Sequence, residues 1–277
     1  MNGFDLALLK NDLIENPTAR CACALVLDAS SSMDGAPINE LNAGVAQFIN
    51  ELRGDDFASY AVEVGIFTFG NDVREAVPFT PAYQIRDCAP LRAMGGTPMG
   101  EAVELAIERL AQRKADYKKA GVSYYQPWLV LMSDGAPTDD WQAAAKRLRK
   151  LAEERKVTVL AVGIGEGAAL EILGQFSTRP AKLLPGMKFR EFFQWLSQSM
   201  ERVSQSTPGT GVSLASTDIH VCEQAALMFG SDRREPKPYR PVVRIRNDNS
   251  RVVVLPCTTK DQIGSPDFFE LNDERVM

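Results

Sequence analysis

The sequence predicts an α/β protein with a doubly wound, mostly parallel sheet, followed by a small β-rich segment. Three observations predict it. Short apolar runs bounded by Gly, Asn or Asp alternate with longer stretches in which apolar residues return every three or four positions. The runs Cys21–Leu27 and Trp128–Met132 are apolar without interruption, as strands covered on both faces are. Several runs stop on acids or hydroxyls, where an open parallel sheet places its ligands, beyond the carboxyl ends of the strands.

The elements follow in chain order. Residues 4–15 carry a short amphipathic pattern, and residues 21–27 form the first strand. Gly35-Ala36-Pro37 opens a helix whose apolar face is Ile38, Leu41, Val45, Phe48, Ile49 and Leu52, and Gly54 fits its stop. Residues 61–69 alternate and are rich in β-branched and aromatic residues. Gly70-Asn71-Asp72 turns them into a return strand over 73–79. Thr97 is read as the N-cap of the next helix, with Pro98 at its first position and Val103, Leu105, Ile107 and Leu110 within it. A helix over 139–155 follows the strand 128–132, with Asp139 and Asp140 placed to favour its positive end. A strand over 157–162, a short helix over 168–173, a short strand over 182–184 and a helix over 189–203 complete the alternation. Such alternation implies right-handed crossovers and helices on both faces of the sheet.

Bulk properties narrow the function. The 277 residues suffice for a large domain with an appendage. The formal net charge of -5 gives no global attraction to nucleic acid. No apolar run approaches the ~20 residues that cross a bilayer, and the N-terminus does not read as a signal peptide, so a cytoplasmic location is expected. Cys21 and Cys23 are expected to behave as small buried hydrophobes. His220 is the single histidine, and no G-x-S-x-G elbow accompanies it, so a serine-hydrolase triad is not expected.

The chemistry concentrates in three segments: Asp28-Ala29-Ser30-Ser31-Ser32, Gly95-Gly96-Thr97-Pro98 and Ser133-Asp134-Gly135. Asp28, Ser30 and Ser32 stand at steps of two, so a turning loop past a strand end aims them at one point. Thr97 adds a third hydroxyl from a second loop, and Asp134 a second carboxylate from a third. Oxygen donors of this kind suit a hard divalent cation, Mg²⁺ before Mn²⁺ or Ca²⁺. Neutral hydroxyls leave the ion electrophilic, ready to take an Asp or Glu from a partner protein. A phosphohydrolase using Asp28 as nucleophile would need a second Asp two residues on, where Ser30 stands.

LDASSSM, GGTPMGEA and LMSDGAPTDDW together resemble the metal-ion-dependent adhesion site of the von Willebrand factor A domain, over residues 20–205. The resemblance is to the TerY-like branch associated with tellurium resistance and stress responses. It implies a Rossmann-like fold and a metal site at Asp28, Ser30, Ser32, Thr97 and Asp134. The three hydroxyls would ligate directly and the carboxylates through water. The family usually has Gly where Ser31 stands, which implies reduced loop freedom. The resemblance also implies a non-enzymatic module working beside protein kinases or metal-dependent phosphatases.

Residues 206–217, rich in Ser, Thr, Gly and Pro, read as a linker between a domain over 1–205 and a segment over 218–277. In the latter, Pro241–Arg246 and Arg251–Pro256 flank Asn247-Asp248-Asn249-Ser250, a hairpin signal. Lys237-Pro238-Tyr239-Arg240-Pro241 and the Val-rich run ending in Cys257-Thr258-Thr259 resemble part of the β-barrel of MazF/PemK-type endoribonuclease toxins. That resemblance implies RNA contacts at Arg240 and at Thr258 or Thr259, with an excess of basic residues over 233–251. A solvated hairpin is the alternative, and is the expected one: the barrel's usual first strand is missing and nucleic-acid binding is not anticipated.

Overall fold

A computed structural model of the protein describes residues 12–13, 15–16, 18–86, 88–184, 188–209, 219–223, 239–248, 251–256 and 269–272. The chain divides into two compact units, Met1–Val212 and Ser213–Met277.

In the first unit, strands β1 (Cys21–Asp28), β2 (Val62–Phe69), β3 (Arg74–Pro81), β4 (Trp128–Ser133), β5 (Thr158–Ile164) and β6 (Lys182–Leu184) form one sheet in the order β3-β2-β1-β4-β5-β6. β3 returns antiparallel to β2, and every other neighbour pair is parallel. The longer helices are α1 (Ala36–Gly54), α2 (Met99–Ala120), α3 (Gln142–Glu153) and α4 (Phe189–Ser204). Strand order reverses at β1: the chain leaves it toward β2 on one side and returns through β4 on the other. A crevice therefore opens at the carboxyl ends of β1 and β4.

β1 is buried on both faces, which is why its sequence shows no polar alternation. Ala22, Ala24 and Val26 enter a core shared with α2 and α3 residues such as Val103, Leu110 and Leu148. Cys21 faces the other way, its Sγ 4.0 Å from Met200 Sδ on α4. Burial, helped by the nearby Glu63 charge, pushes the Cys21 thiol up to about 12, so it stays protonated and packs as a small hydrophobe. The apolar face of α1 is buried as its spacing predicts, and Phe48 meets Phe193 of α4 at a ring distance of 5.7 Å. Burying each such side chain contributes roughly 1.5–3 kcal/mol. Gly44 permits this approach: a β-carbon there would stand 2.6 Å from Phe193 Cδ2.

At the amino-terminal ends of β1 and β2 lies a buried ionic cluster that the sequence pattern does not announce. Glu63, fully buried, receives Arg113 Nε and Nη2 at 2.5 and 2.8 Å and the Tyr117 hydroxyl at 2.7 Å. Arg20, also fully buried, reaches Asp12 at 2.7 Å and stands 3.8 Å from Glu63.

Several boundaries differ from the sequence reading. α3 begins at Gln142, not Asp139. Of residues 4–15, Asp12, Leu13 and Glu15 are helical, and 4–11 and 14 lie outside the described residues. The Tyr125 hydroxyl donates to the carbonyl oxygens of Ser204 and Ser206 at 3.0 and 2.7 Å. No described helix is long and apolar enough to cross a membrane.

The second unit contains an antiparallel sheet in the order β10-β9-β8-β7, from β7 (Ile219–Glu223), β8 (Tyr239–Asp248), β9 (Arg251–Pro256) and β10 (Phe269–Asn272). β8 and β9 form the hairpin, with Asp248 paired to Arg251. Arg240 sits on β8 opposite Cys222 of β7. Thr258 and Thr259 lie outside the described residues.

Candidate metal centre

Asp28 ends β1 and is fully buried. Its carboxylate accepts the Ser30 amide on Oδ1 at 2.8 Å and the Ser133 hydroxyl on Oδ2. Burial pushes the carboxyl above the ordinary carboxylate range. Bonds from Ser133 and Ser30 oppose that shift, and the nearby Asp134 charge adds to it. A buried acid with both oxygens occupied by donors is a fixed anchor for positive charge.

The chain then turns. Ser30 is extended and Ser31–Met33 make a single 3-10 turn. This turn carries Ser30 Oγ to 3.0 Å from Ser32 Oγ, and Ser32 Oγ donates to Asp134 Oδ1 at 2.8 Å. Ser31, where the family resemblance anticipates Gly, needs no left-handed backbone: among the described residues the one non-glycine with positive φ is Arg155. Ser therefore adds no strain there.

Backbone bonds lock the loops together. Ala29 N–H donates to Phe69 O at 2.7 Å, Met94 N–H to Ala29 O at 2.8 Å, and Ser31 N–H to Gly95 O at 3.0 Å. Two glycines make these contacts feasible. A β-carbon at Gly70 would stand 2.5 Å from Ala29 O, and one at Gly95, where φ is +80°, would stand 2.5 Å from the Asn71 backbone.

Thr97 is nearly buried, and its hydroxyl faces the Asp134 loop, 4.0 Å from where a β-carbon on Gly135 would be. It is not the N-cap of α2. The cap position is Pro98, and the helix's first amides are taken by another residue: Asp139 accepts from Gly100 at 3.2 Å and from Glu101 at 2.9 Å. Asp139 thus serves α2 rather than the start of α3. Thr97 is held by its backbone, whose N–H donates to Thr138 Oγ1 at 3.0 Å and whose carbonyl accepts the Thr138 amide at 2.9 Å. This leaves the Thr97 hydroxyl uncommitted to capping.

The donor set fits a small divalent ion. Octahedral oxygen ligands at about 2.1 Å from Mg²⁺ lie about 3.0 Å from one another along each edge. The Ser30–Ser32 separation of 3.0 Å meets that spacing without loop movement, and the 2.8 Å hydrogen bond from Ser32 to Asp134 holds the second hydroxyl in place. Ca²⁺, with bonds of about 2.3–2.6 Å, would need edges of about 3.3–3.7 Å and hence a wider loop. Among the described residues no group of three His, Cys, Asp or Glu side chains could hold a metal, so the alternative of a thiolate or imidazole centre has no candidate there. Ser32 is exposed and Asp134 half-buried, so the group opens to solvent on that side.

Asp28, Ser30, Ser32 and Asp134 are brought into one connected group, and Thr97 stands beside Asp134-Gly135. Sequence reasoning gave no role of their own to Ser133 and Thr138 and assigned Asp139 to the wrong helix. Ser133 carried a readable signal, since it ends an apolar strand beside the strand ending in Asp28. The roles of Thr138 and Asp139 depend on contacts between loops about 40 residues apart, 41 for Thr97–Thr138 and 39 for Gly100–Asp139.

A doubly wound sheet with hydroxyls and carboxylates converging from three loops at the carboxyl ends of its central strands defines a class of α/β domains with an oxygen-rich cation site. The model of the von Willebrand factor type A domain matches residues 23–202, and the chain belongs to that family. It is 28% identical over 186 residues to uncharacterized protein sll0103 of Synechocystis, covering 62% of this chain and 41% of that protein, so it spans about two-fifths of that relative's length. Among solved structures, the vWF domain of the type V pili tip protein Mfa5 from Porphyromonas gingivalis has a TM-score of 0.54 at 13% identity, over 70% of this chain and 99% of that one. The pilus adhesin SpaC from Lactobacillus rhamnosus GG has a TM-score of 0.51 at 15% identity, over 67% of this chain and 30% of that one. At these identities the two structures share the fold with this chain.

Proposed function

We propose that this chain is a divalent-cation-dependent protein-interaction module rather than an enzyme, with Mg²⁺ as the preferred ion. Ser30, Ser32 and Thr97 would ligate the ion directly, and Asp28 and Asp134 would hold it through water. The ion supplies an electrophilic point for a carboxylate. The protein's part is to present neutral hydroxyls, keep Asp28 anionic beneath them and leave the Ser32–Asp134 side open to an Asp or Glu of a partner. The observation that carries this reading is the Ser30–Ser32 hydroxyl pair, spaced as one edge of a small octahedron, with Ser32 held by a hydrogen bond to Asp134. Membership of a family whose domains are generally interaction modules supports it. By its resemblance to the TerY-like branch, the module would act in the cytoplasm, in a bacterial stress or defence assembly, with a protein kinase or a metal-dependent phosphatase as partner.

Ser32→Ala tests this with little risk to folding, because Ser32 is exposed. Calorimetry should show Mg²⁺ binding to wild type and at least tenfold weaker binding to the variant. Affinity purification followed by mass spectrometry should recover a partner that both EDTA and Ser32→Ala release. A partner retained equally under all conditions sinks the proposal.

A further inference from the structure

We propose that the cleft between α1 and β3, distinct from the metal centre, binds a small anion carrying a short aliphatic tail. The cleft has a volume of about 640 Å³, within the ~300–1,000 Å³ usual for small-molecule sites. Its apolar lining includes Val45 and Ile49 of α1, Ile66 of β2, and Leu91. Its charged lining is Arg74 on β3 and Arg86 on the segment that crosses from β3 toward the Gly95 loop, with Glu75 as the single carboxylate among the described lining residues. That carboxylate is already engaged: Glu75 pairs with Arg109 of α2 at 2.8 Å. Among the described residues neither Arg74 nor Arg86 has an ion-pair partner, and Arg74 Nε rests on Thr68 Oγ1 at 3.4 Å. Among the described lining residues, two arginines free of ion pairs thus stand beside an apolar surface.

Part of the lining is held in place by α1 itself. Asn42 donates from Nδ2 to Leu91 O at 3.0 Å and accepts the Leu91 amide on Oδ1 at 2.8 Å. One side chain therefore pins both backbone polar groups of Leu91, which fixes that part of the lining before any ligand arrives. Two arginines reading a planar or tetrahedral anion form charge-assisted hydrogen bonds. The apolar lining then takes a tail, whose burial contributes about 0.8 kcal/mol per methylene. Head and tail are each needed, which separates this site from a general anion patch or a greasy groove.

The test uses the full chain, isotopically labelled, in NMR titrations with octanoate, octanol and inorganic phosphate. Octanoate should shift amide signals from residues 42–50 and from Ile85, Arg86, Cys88, Ala89 and Leu91, and octanol and phosphate should each bind at least tenfold more weakly. The exposed pair Arg74→Gln and Arg86→Gln should weaken octanoate binding at least tenfold and leave octanol unchanged. Ala46→Phe, which fills the cleft from an exposed helix position, should weaken octanoate to a similar degree. Octyl phosphate in place of octanoate identifies the preferred head group, and tighter binding of either supports the site. Octanoate shifts that are absent or scattered over the surface, octanol matching octanoate, or a double variant that binds as wild type would each overturn the proposal.

Discussion

Replacing Ser133 with alanine isolates the anchor of the metal centre without touching any proposed ligand. Ser133 and Asp28 are both fully buried, and the serine hydroxyl donates to Asp28 Oδ2. Removing it strips one oxygen of a buried carboxylate of its donor. A hydrogen bond to a charged group contributes about 1.5–3 kcal/mol, and the volume lost is a single oxygen, so little cavity cost is added. The metal-free variant should therefore be less stable by about 2 kcal/mol, read by urea denaturation as a lower midpoint at unchanged slope. Mg²⁺ affinity should also fall, by about 10–100-fold, as it does when a residue that orients a metal-binding group is removed. A double-mutant cycle with Asp28→Asn supplies the control. Against a neutral amide the same substitution should cost only about 0.5–1.5 kcal/mol, the range for an uncharged hydrogen bond. If Ser133→Ala costs the same in both backgrounds and Mg²⁺ binding is unchanged, Ser133 does not hold the Asp28 charge, and the anchor argument fails.

Three further outcomes are expected. Glu63→Gln removes the charge that balances buried Arg113 and Arg20, so it should destabilise the first unit by about 3–5 kcal/mol in chemical denaturation; a loss below 1 kcal/mol contradicts the burial assigned to this cluster. Asp139→Ala frees the first amides of α2 and should lower stability by about 0.5–2 kcal/mol, visible as a reduced melting temperature, whereas Thr97→Val should leave the helix cap unaffected. The third outcome concerns pH. Burial raises the Asp28 carboxyl in the folded protein, so its contribution to metal-free stability is fully present below the ordinary carboxylate value and is lost as pH rises through the raised one. Mg²⁺ favours the ionised form, so the melting-temperature gain from saturating Mg²⁺ should grow with pH across that window. Asp28→Asn should flatten the trend, and a gain that shrinks with rising pH contradicts the assignment.

Much of the fold was legible because its signals are local. β1 and β4 read as strands from continuous apolar runs, and α1 from six apolar positions at helical spacing, all of them buried. Asp28, Ser30 and Ser32 were legible because a strand end followed by residues at steps of two is a local geometric statement. Thr97 was read as the N-cap of α2, and it is not. A threonine before proline is a reasonable N-cap by itself, and the residue that takes that duty, Asp139, lies 39 and 38 positions beyond the Gly100 and Glu101 amides it accepts.

By itself the chain determined which segments are strands and helices, and which short loops carry oxygen donors, since pattern and propensity act over neighbouring residues. The tertiary structure alone decided the rest. It chose which hydroxyl meets which carboxylate, as in Ser32 with Asp134 and Ser133 with Asp28. It buried Glu63 between two arginines, and it left the cleft beside Arg74 with its single described carboxylate engaged elsewhere. Such pairings join residues tens of positions apart. They become favourable only when packing has excluded water and brought the strand ends side by side.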